Sequence, residues 1–149
     1  MLYTVRTQLV GRHKGEVSFP GGMCEAEDAS CEATALREAF EEVGVQPYDV
    51  QVLGVLDDVE ARSEIVITPV VGLLKQSRYA FTMQATEVGE LLEVPLAHLA
   101  DPLSRVTHPH LPHAPAYGFG RQIIWGATAR ITTNLLALLG EPATSTLTR

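Results

Sequence analysis

Apolar and polar residues alternate at the start of the chain, and longer apolar runs follow further along. The segment LYTVRT (residues 2–7) alternates and is rich in strand-forming residues, so it predicts a β-strand. Further strands are predicted at 16–22, 50–58, 64–74, 89–96 and 120–126. Segment 64–74 is almost continuously apolar, which predicts a central strand that is buried on both faces.

Three segments have the pattern of helices. In the first, residues 30–43, apolar side chains recur at helical spacing and predict a stripe that faces the core. The stripe consists of Ala33, Leu36, Phe40 and Val43. Asp28 or Ser30 can cap the start of this helix, and Gly44 ends it.

The other two helices are a short one within 95–101 and a closing one over 127–139. Between them, residues 101–120 are rich in Pro, His and Gly and predict a long loop. Strands interspersed with helices predict an α/β (α+β) sandwich, with a mixed β-sheet between helices, in a single domain over residues 1–149.

Composition narrows the classes of function. The chain of 149 residues carries a formal net charge of -7, which argues against nucleic acid as a partner. A polyanionic substrate remains compatible, because a bound cation reverses the local charge. No apolar run is long enough to predict a membrane span. Two cysteines without a CxxC motif predict free thiols, and together with the absence of a signal-peptide pattern they favour the cytoplasm.

The first predicted helix is strongly acidic towards its end. Glu38, Glu41 and Glu42 are spaced so that their carboxylates share one face within about one turn. Like charges at this spacing repel, and Arg37 can offset only one of them. Two interpretations compete: a solvated acidic surface, or a site for a divalent cation that prefers hard oxygen ligands.

The residues around the acidic cluster favour the cation site. FPGG (residues 19–22) followed by REAFEEVGV (37–45) resembles the Nudix box, G-x5-E-x7-R-E-U-x-E-E-x-G-U with U apolar. The second half matches at every fixed position. The first half departs, because Asp28 replaces the Glu and eight residues separate it from Arg37. The alternatives for Asp28 and its acidic neighbours Glu25 and Glu27 are an outer metal ligand, a helix cap or a solvated charge.

The segment before the box resembles one branch of this family. LYTVRT followed by GRHKGEVSFPGG is similar to the motif of the coenzyme A diphosphatases, and the resemblance extends over almost the whole chain. The matching residues are Thr4, Arg6, Gly15, Phe19, Pro20, Gly21 and Gly22. One departure is Gly11, where that branch often has an arginine, although Arg12 is adjacent.

The resemblance implies a Nudix fold and hydrolysis of a nucleoside diphosphate linked to a second group. Glu38, Glu41 and Glu42, with a carbonyl of Gly21 or Gly22, would then hold Mg²⁺ or Mn²⁺. Water would attack the diphosphate of coenzyme A and release 3′,5′-ADP and 4′-phosphopantetheine.

Other roles in the reaction are assigned by the same resemblance. Arg37 would pair with a carboxylate and orient it, and either Glu38 or Glu87 would be the general base. The alternative for Glu87 is a surface carboxylate before a strand. Arg6, Arg12 and Lys14 would hold the 3′-phosphate of the small-molecule nucleotide substrate; the alternative is that they are exposed loop cations. Alternative functions are hydrolysis of ADP-ribose, NADH or a nucleoside triphosphate, and a non-catalytic ligand sensor, against which the intact acidic cluster argues.

The resemblance also implies a strand before residue 2, which is missing from this chain. Either the start is clipped, or a neighbouring subunit or another segment fills the gap, and an open edge would favour a homodimer. Smaller expectations concern aromatic and thiol side chains. Tyr117 and Phe119 either stack on adenine or pack on the loop, and Trp125 lies in the core. Cys24, beside the glycines, either touches a thiol-bearing substrate or, as the default interpretation, is a small buried filler.

Overall fold

The computed structural model describes residues 1–8, 11, 15–61 and 64–140. The strands are β1 (Leu2–Arg6), β2 (Val17–Ser18), β3 (Val50–Val55), β4 (Val59–Glu60), β5 (Val66–Ile67), β6 (Val70–Leu74), β7 (Val88–Glu93), β8 (Tyr117–Phe119) and β9 (Gln122–Ile124). The helices are α1 (Cys31–Val43), α2 (Leu96–Ala100) and α3 (Gly126–Gly140). Short 3₁₀ turns cover Pro47–Asp49 and Pro102–Ser104.

The strands form one three-stranded sheet and three two-stranded ribbons. The sheet has the order β2-β1-β7, so β1 is paired on both edges. The ribbons are β3–β6, β4–β5 and β8–β9. Every pairing in the described part of the chain is antiparallel, whereas the sequence predicted a mixed sheet. Connections such as that between β8 and β9 are too short for a parallel crossover, and antiparallel pairing is what they allow.

The main core lies between the three-stranded sheet, α2, β8, β9 and α3. Tyr3, Leu99, Tyr117 and Ile124 are fully buried there. The two tyrosine hydroxyls form hydrogen bonds with threonines of α3. Tyr3 Oη lies 2.9 Å from Thr132 Oγ1, and Tyr117 Oη lies 2.8 Å from Thr133 Oγ1. These bonds fix α3 against the sheet and against the β8–β9 ribbon. The helices of the described residues are too short or too polar to cross a bilayer.

Segment 64–74 differs from the prediction of one buried central strand. Thr68 and Pro69 divide it into β5 and β6, because proline has no N–H to donate to a ladder. Leu73 is 53% exposed, and apolar residues of β3 in the same ribbon are also exposed. The prediction of burial on both faces is therefore wrong, and the β3–β6 ribbon carries apolar side chains in contact with solvent.

Helix α1 has the predicted length and ends. The Ser30 hydroxyl accepts a hydrogen bond from Ala33 N at 3.2 Å, so Ser30 rather than Asp28 is the N-cap. Gly44 adopts φ 72°, a left-handed conformation that favours glycine, and terminates the helix.

The predicted apolar stripe of α1 is only partly correct. Phe40 is 46% exposed, and the residues that the helix buries are Thr34, Glu42 and Val43. The reason is a contact with a distant segment of the chain. Thr82 N donates to Val43 O, and Gln84 N donates to Glu42 O, so the segment 82–84 packs against the end of the helix. That segment covers the side of the helix that carries Glu42 and leaves Phe40 on the open side.

Candidate active site

The acidic end of α1 faces a loop that precedes β7. A cavity of about 280 Å³ lies between them and is lined by Glu38, Glu41, Glu42, Gln84 and Glu87. Gln84 N donates to Glu42 O at 2.8 Å and fixes the loop at the end of the helix. The structure thus brings together the three box carboxylates and the fourth carboxylate that the sequence pointed to. Gln84 had no signal in the sequence.

A larger, more open groove of about 450 Å³ lies between β4 and α3. It is lined by Asp58, Val59, Glu60, Pro115, Arg130, Thr133 and Asn134. The smaller cavity is the better candidate because it concentrates carboxylates of one helix face beside the glycine turn, whereas the groove mixes single acidic, basic and amide side chains.

Glu42 is the buried member of the carboxylate cluster. Its exposed fraction is 6%. Burial, followed by the charges of Glu38 and Glu87, raises the pKa of Glu42 to about 7, although a backbone hydrogen bond from Gly21 and the charge of Arg6 oppose this. A carboxylate held in such surroundings gains from a nearby cation, which removes both the repulsion and the desolvation penalty.

Arg37 links the acidic face of α1 to the loop before it. Its Nε and Nη2 donate to the two oxygens of Asp28, both at 3.0 Å. Nη1 donates to Glu38 Oε1 at 3.0 Å and lies 3.4 Å from a carboxylate oxygen of Glu41. Nη2 also reaches Met23 O at 3.0 Å. Arg37 therefore pairs with the carboxylates as expected, but its two-bond partner is Asp28.

This contact separates the roles of the three loop acids. The hydrogen bonds from Arg37, then the backbone N–H of Glu25, hold the pKa of Asp28 well below its ordinary value. The Glu25 side chain is 60% exposed and lies 3.7 Å from Arg37, and Glu27 is exposed. Asp28 is thus an anchor of the loop, while Glu25 and Glu27 are solvated.

The two glycines of the turn contact the carboxylates by their backbone. A Cβ on Gly22 would collide with the Glu38 carboxylate, so any larger residue would displace that carboxylate from its position beside the turn. Gly21 supplies a backbone hydrogen bond to Glu42. A carbonyl ligand from either glycine stays a prediction.

Arg6 is the one predicted substrate-binding residue within the described residues. It pairs with Val88 of β7, the residue after Glu87, and its positive charge opposes the raised pKa of Glu42. Its Nε is buried without a hydrogen-bond partner among the described residues. Such an atom is costly unless a ligand satisfies it. Arg12 and Lys14 lie outside the described residues.

The donor set fits a hard divalent cation. Four carboxylates line the cavity, and Mg²⁺ and Mn²⁺ prefer carboxylate and carbonyl oxygens. Within residues 1–8, 11, 15–61 and 64–140, however, no three His, Cys, Asp or Glu side chains are grouped closely enough to hold a metal as they stand. Arg37 accounts for part of this, because Glu38 and Glu41 contact its guanidinium.

Tyr117 and Phe119 pack as the second of their two interpretations predicts. Tyr117 is fully buried, with the Arg105 guanidinium carbon 4.3 Å from the centre of its ring. Phe119 contacts the edge of His98 at a centroid distance of 5.3 Å. A buried tyrosine ring has no free face for adenine.

Trp125 and Cys24 differ from expectation. Trp125 is half-buried rather than in the core, and the ring of His108 stacks on it at a centroid distance of 4.4 Å. Cys24 is exposed, so the prediction of a buried filler is wrong. The whole run 21–27 is exposed.

Comparison with known proteins identifies the family. The NUDIX domain model matches residues 1–111. Mitochondrial coenzyme A diphosphatase NUDT8 of Mus musculus is 42% identical, with 93% of this chain and 70% of the mouse protein covered. The Nudix hydrolase NudL of Pectobacterium atrosepticum is 38% identical, with 95% of this chain and 76% of that protein covered.

A solved structure supports the fold. The NUDIX domain of NrtR from Shewanella oneidensis, complexed with ADP ribose, aligns with a TM-score of 0.56. It is 19% identical and covers 93% of this chain and 76% of its own, so it shows the fold alone. With the matched family model, the relatives and the α/β sandwich in agreement, this chain belongs to the Nudix family and is a Nudix pyrophosphohydrolase.

Proposed function

We propose that this chain hydrolyses the diphosphate bond of coenzyme A or its derivatives to 3′,5′-ADP and 4′-phosphopantetheine or its acyl form. The observation that carries the reaction is the carboxylate-lined cavity beside the glycine turn. The likeness to a coenzyme A diphosphatase favours the substrate. The residues of the motif before the Nudix box, Arg6 among them, fit the same substrate.

Nudix hydrolases generally use divalent metal ions. Here Glu38, Glu41 and Glu42, with a carbonyl of Gly21 or Gly22, would hold Mg²⁺ or Mn²⁺. A bound divalent cation neutralises diphosphate charge and lowers the pKa of water, so that hydroxide forms near neutral pH.

The residues of the chain divide the remaining work. The backbone hydrogen bond of Gly21 orients the buried Glu42 carboxylate. Arg37 donates a hydrogen bond of 3.0 Å to Glu38 Oε1, so one oxygen of that carboxylate is already occupied. The Glu87 side chain has no hydrogen-bond partner among the described residues. Of the two candidates for the general base, Glu87 is therefore better placed to accept a proton from water.

Arg6 is proposed to bind phosphate. Its Nε is a buried donor without a partner in the described part of the chain, and phosphate oxygens accept charge-assisted hydrogen bonds from arginine. The same role for Arg12 and Lys14 stays a prediction, as do a single domain over residues 1–149, a cytoplasmic location and a homodimer.

The test is a substrate panel. Coenzyme A, ADP-ribose and NADH are each incubated with Mg²⁺ or Mn²⁺, and products are separated by chromatography. We expect 3′,5′-ADP from coenzyme A at the highest kcat/KM. Preference for ADP-ribose or NADH would reject coenzyme A as the substrate but keep the pyrophosphohydrolase. Absence of turnover with all three would favour a ligand sensor.

A further inference from the structure

Asp28 is the most extensively bonded side chain of the loop before α1. Besides the two bonds from Arg37, its Oδ2 accepts from Thr34 Oγ1 at 2.8 Å and from Glu25 N at 2.9 Å. The Asp28 side chain is 8% exposed. A carboxylate with so many donors has a fixed position, because each bond restricts a different direction of movement.

The Arg37 guanidinium is divided between this anchor and the cavity. Nε and one side of Nη2 are occupied by Asp28, whereas Nη1 alone contacts Glu38 and Glu41. Glu38 and Glu41 are also the carboxylates proposed to bind a cation. Arg37 and a divalent cation are therefore competitors for the same two carboxylates, and whatever holds Arg37 back favours the cation.

We propose that Asp28 is a positioning residue that sets the affinity of the site for its divalent cation by holding Arg37 on the loop side of α1. The proposal rests on the proposed function, because it assumes that Glu38 and Glu41 bind the cation. The lengthened loop gives Asp28 its place: it lies nine residues before Arg37 and binds Nε and Nη2 of the guanidinium, whereas Glu38 binds Nη1.

The electrostatic consequence of removing the Asp28 charge follows from the distances. Arg37 lies within 4 Å of four carboxylates: Asp28 at 3.0 Å, Glu38 at 3.0 Å, Glu41 at 3.4 Å and Glu25 at 3.7 Å. Without its two-bond partner, the guanidinium turns towards the remaining acids. It then satisfies its donors on Glu38 and Glu41, and a cation must displace it from both.

The first measurement is Mn²⁺ binding in the absence of substrate, by electron paramagnetic resonance of free Mn²⁺. Asp28→Asn keeps the size of the side chain and removes its charge. We expect Mn²⁺ affinity to fall by about 10- to 100-fold, as when a residue that orients a metal ligand is lost. Glu25→Gln is the matched control: it removes an acid at 3.7 Å that is solvated, and we expect a change of less than about twofold.

A double-mutant cycle then tests the route through Arg37. In an Arg37→Gln background the competitor is absent, so Asp28→Asn should change Mn²⁺ affinity by less than about twofold. An equal loss in both backgrounds, or no loss in either, would overturn the proposal. In the single variant, raising the Mn²⁺ concentration should recover kcat, because the loss is one of cation affinity.

Folding is checked by thermal melting with EDTA. If Asp28→Asn fails to fold, Thr34→Val decides, since it removes one bond to Asp28 and leaves the charge pair. A smaller loss of Mn²⁺ affinity is then expected, and an unchanged affinity would reject the proposal. Binding of Mn²⁺ does not depend on which substrate is hydrolysed. Wild-type protein that binds Mn²⁺ but does not cleave coenzyme A would therefore refute the proposed substrate and leave Asp28 testable.

Discussion

Replacement of Glu42 by glutamine is expected to stabilise the cation-free protein while it removes most turnover. Glu42 is buried beside Glu38 and Glu87, and its pKa is raised to about 7 from an ordinary 4.5. Glutamine keeps an oxygen that accepts the Gly21 hydrogen bond but has no charge. Because Glu42 is a proposed ligand of the divalent cation, its replacement should lower turnover at least about a hundredfold.

The magnitude follows from the pKa. At about 1.4 kcal/mol for each pKa unit, the difference between 4.5 and about 7 corresponds to about 3 kcal/mol. Between pH 4.5 and about pH 7, Glu42 of the native protein holds a proton that the unfolded chain has released. This contribution to stability is fully present below pH 4.5 and is lost as the pH rises through 7. Above that pH, the Glu42→Gln protein should have a free energy of unfolding about 1–3 kcal/mol higher than the wild type, which corresponds to a Tm roughly 2–10 °C higher.

The assay is thermal melting of both proteins in EDTA between about pH 5 and pH 8.5. The difference in Tm should be small at the acid end and should grow as Glu42 ionises. Glu27→Gln, which changes an exposed acid, is the control for net charge. A Glu42→Gln protein that is less stable than wild type at pH 8.5, or near-wild-type turnover with Mg²⁺, would refute the reasoning.

Three further outcomes are expected. Gly22→Ala should lower turnover about 10- to 100-fold, because its Cβ collides with the Glu38 carboxylate, whereas Gly54→Ala, with open space at its Cβ, should keep wild-type kcat. Ser30→Ala should reduce stability by about 1 kcal/mol in denaturant melts through loss of the helix cap, and Ser30→Asp should not. Cys24, which is exposed, should react with an aromatic disulfide reagent before the half-buried Cys31 does; the reverse order would contradict the exposure of the turn.

The sequence predicted the features that depend on local chemistry. Ser30 and Gly44 cap helix α1 as predicted, because the bonds that cap a helix form within four residues of its ends. Its acidic face follows from the spacing of side chains along the chain. The Nudix resemblance added the turn before the helix and pointed to Glu87, which does line the cavity.

The features that the sequence did not predict depend on contacts between distant segments. Helical period gives the width of an apolar stripe but not the neighbour that covers it, so Phe40 was assigned to the wrong side. The raised pKa of Glu42 needs the approach of the loop that contains Glu87. The bond between Asp28 and Arg37 depends on how an exposed loop folds back over nine residues. The proline within 64–74, by contrast, was a visible signal against a continuous strand.

The direction of α1 has a consequence of its own for the acidic cavity. Glu41 and Glu42 lie in the last turn of the helix, which contains no basic residue. Peptide dipoles align along a helix and leave about half a negative elementary charge at its C-terminal end. The backbone therefore adds to the negative potential at the point where the carboxylates gather. A helix of the same composition that ran the other way would turn its positive pole to the cavity, so the polarity of the chain itself helps to draw a cation there.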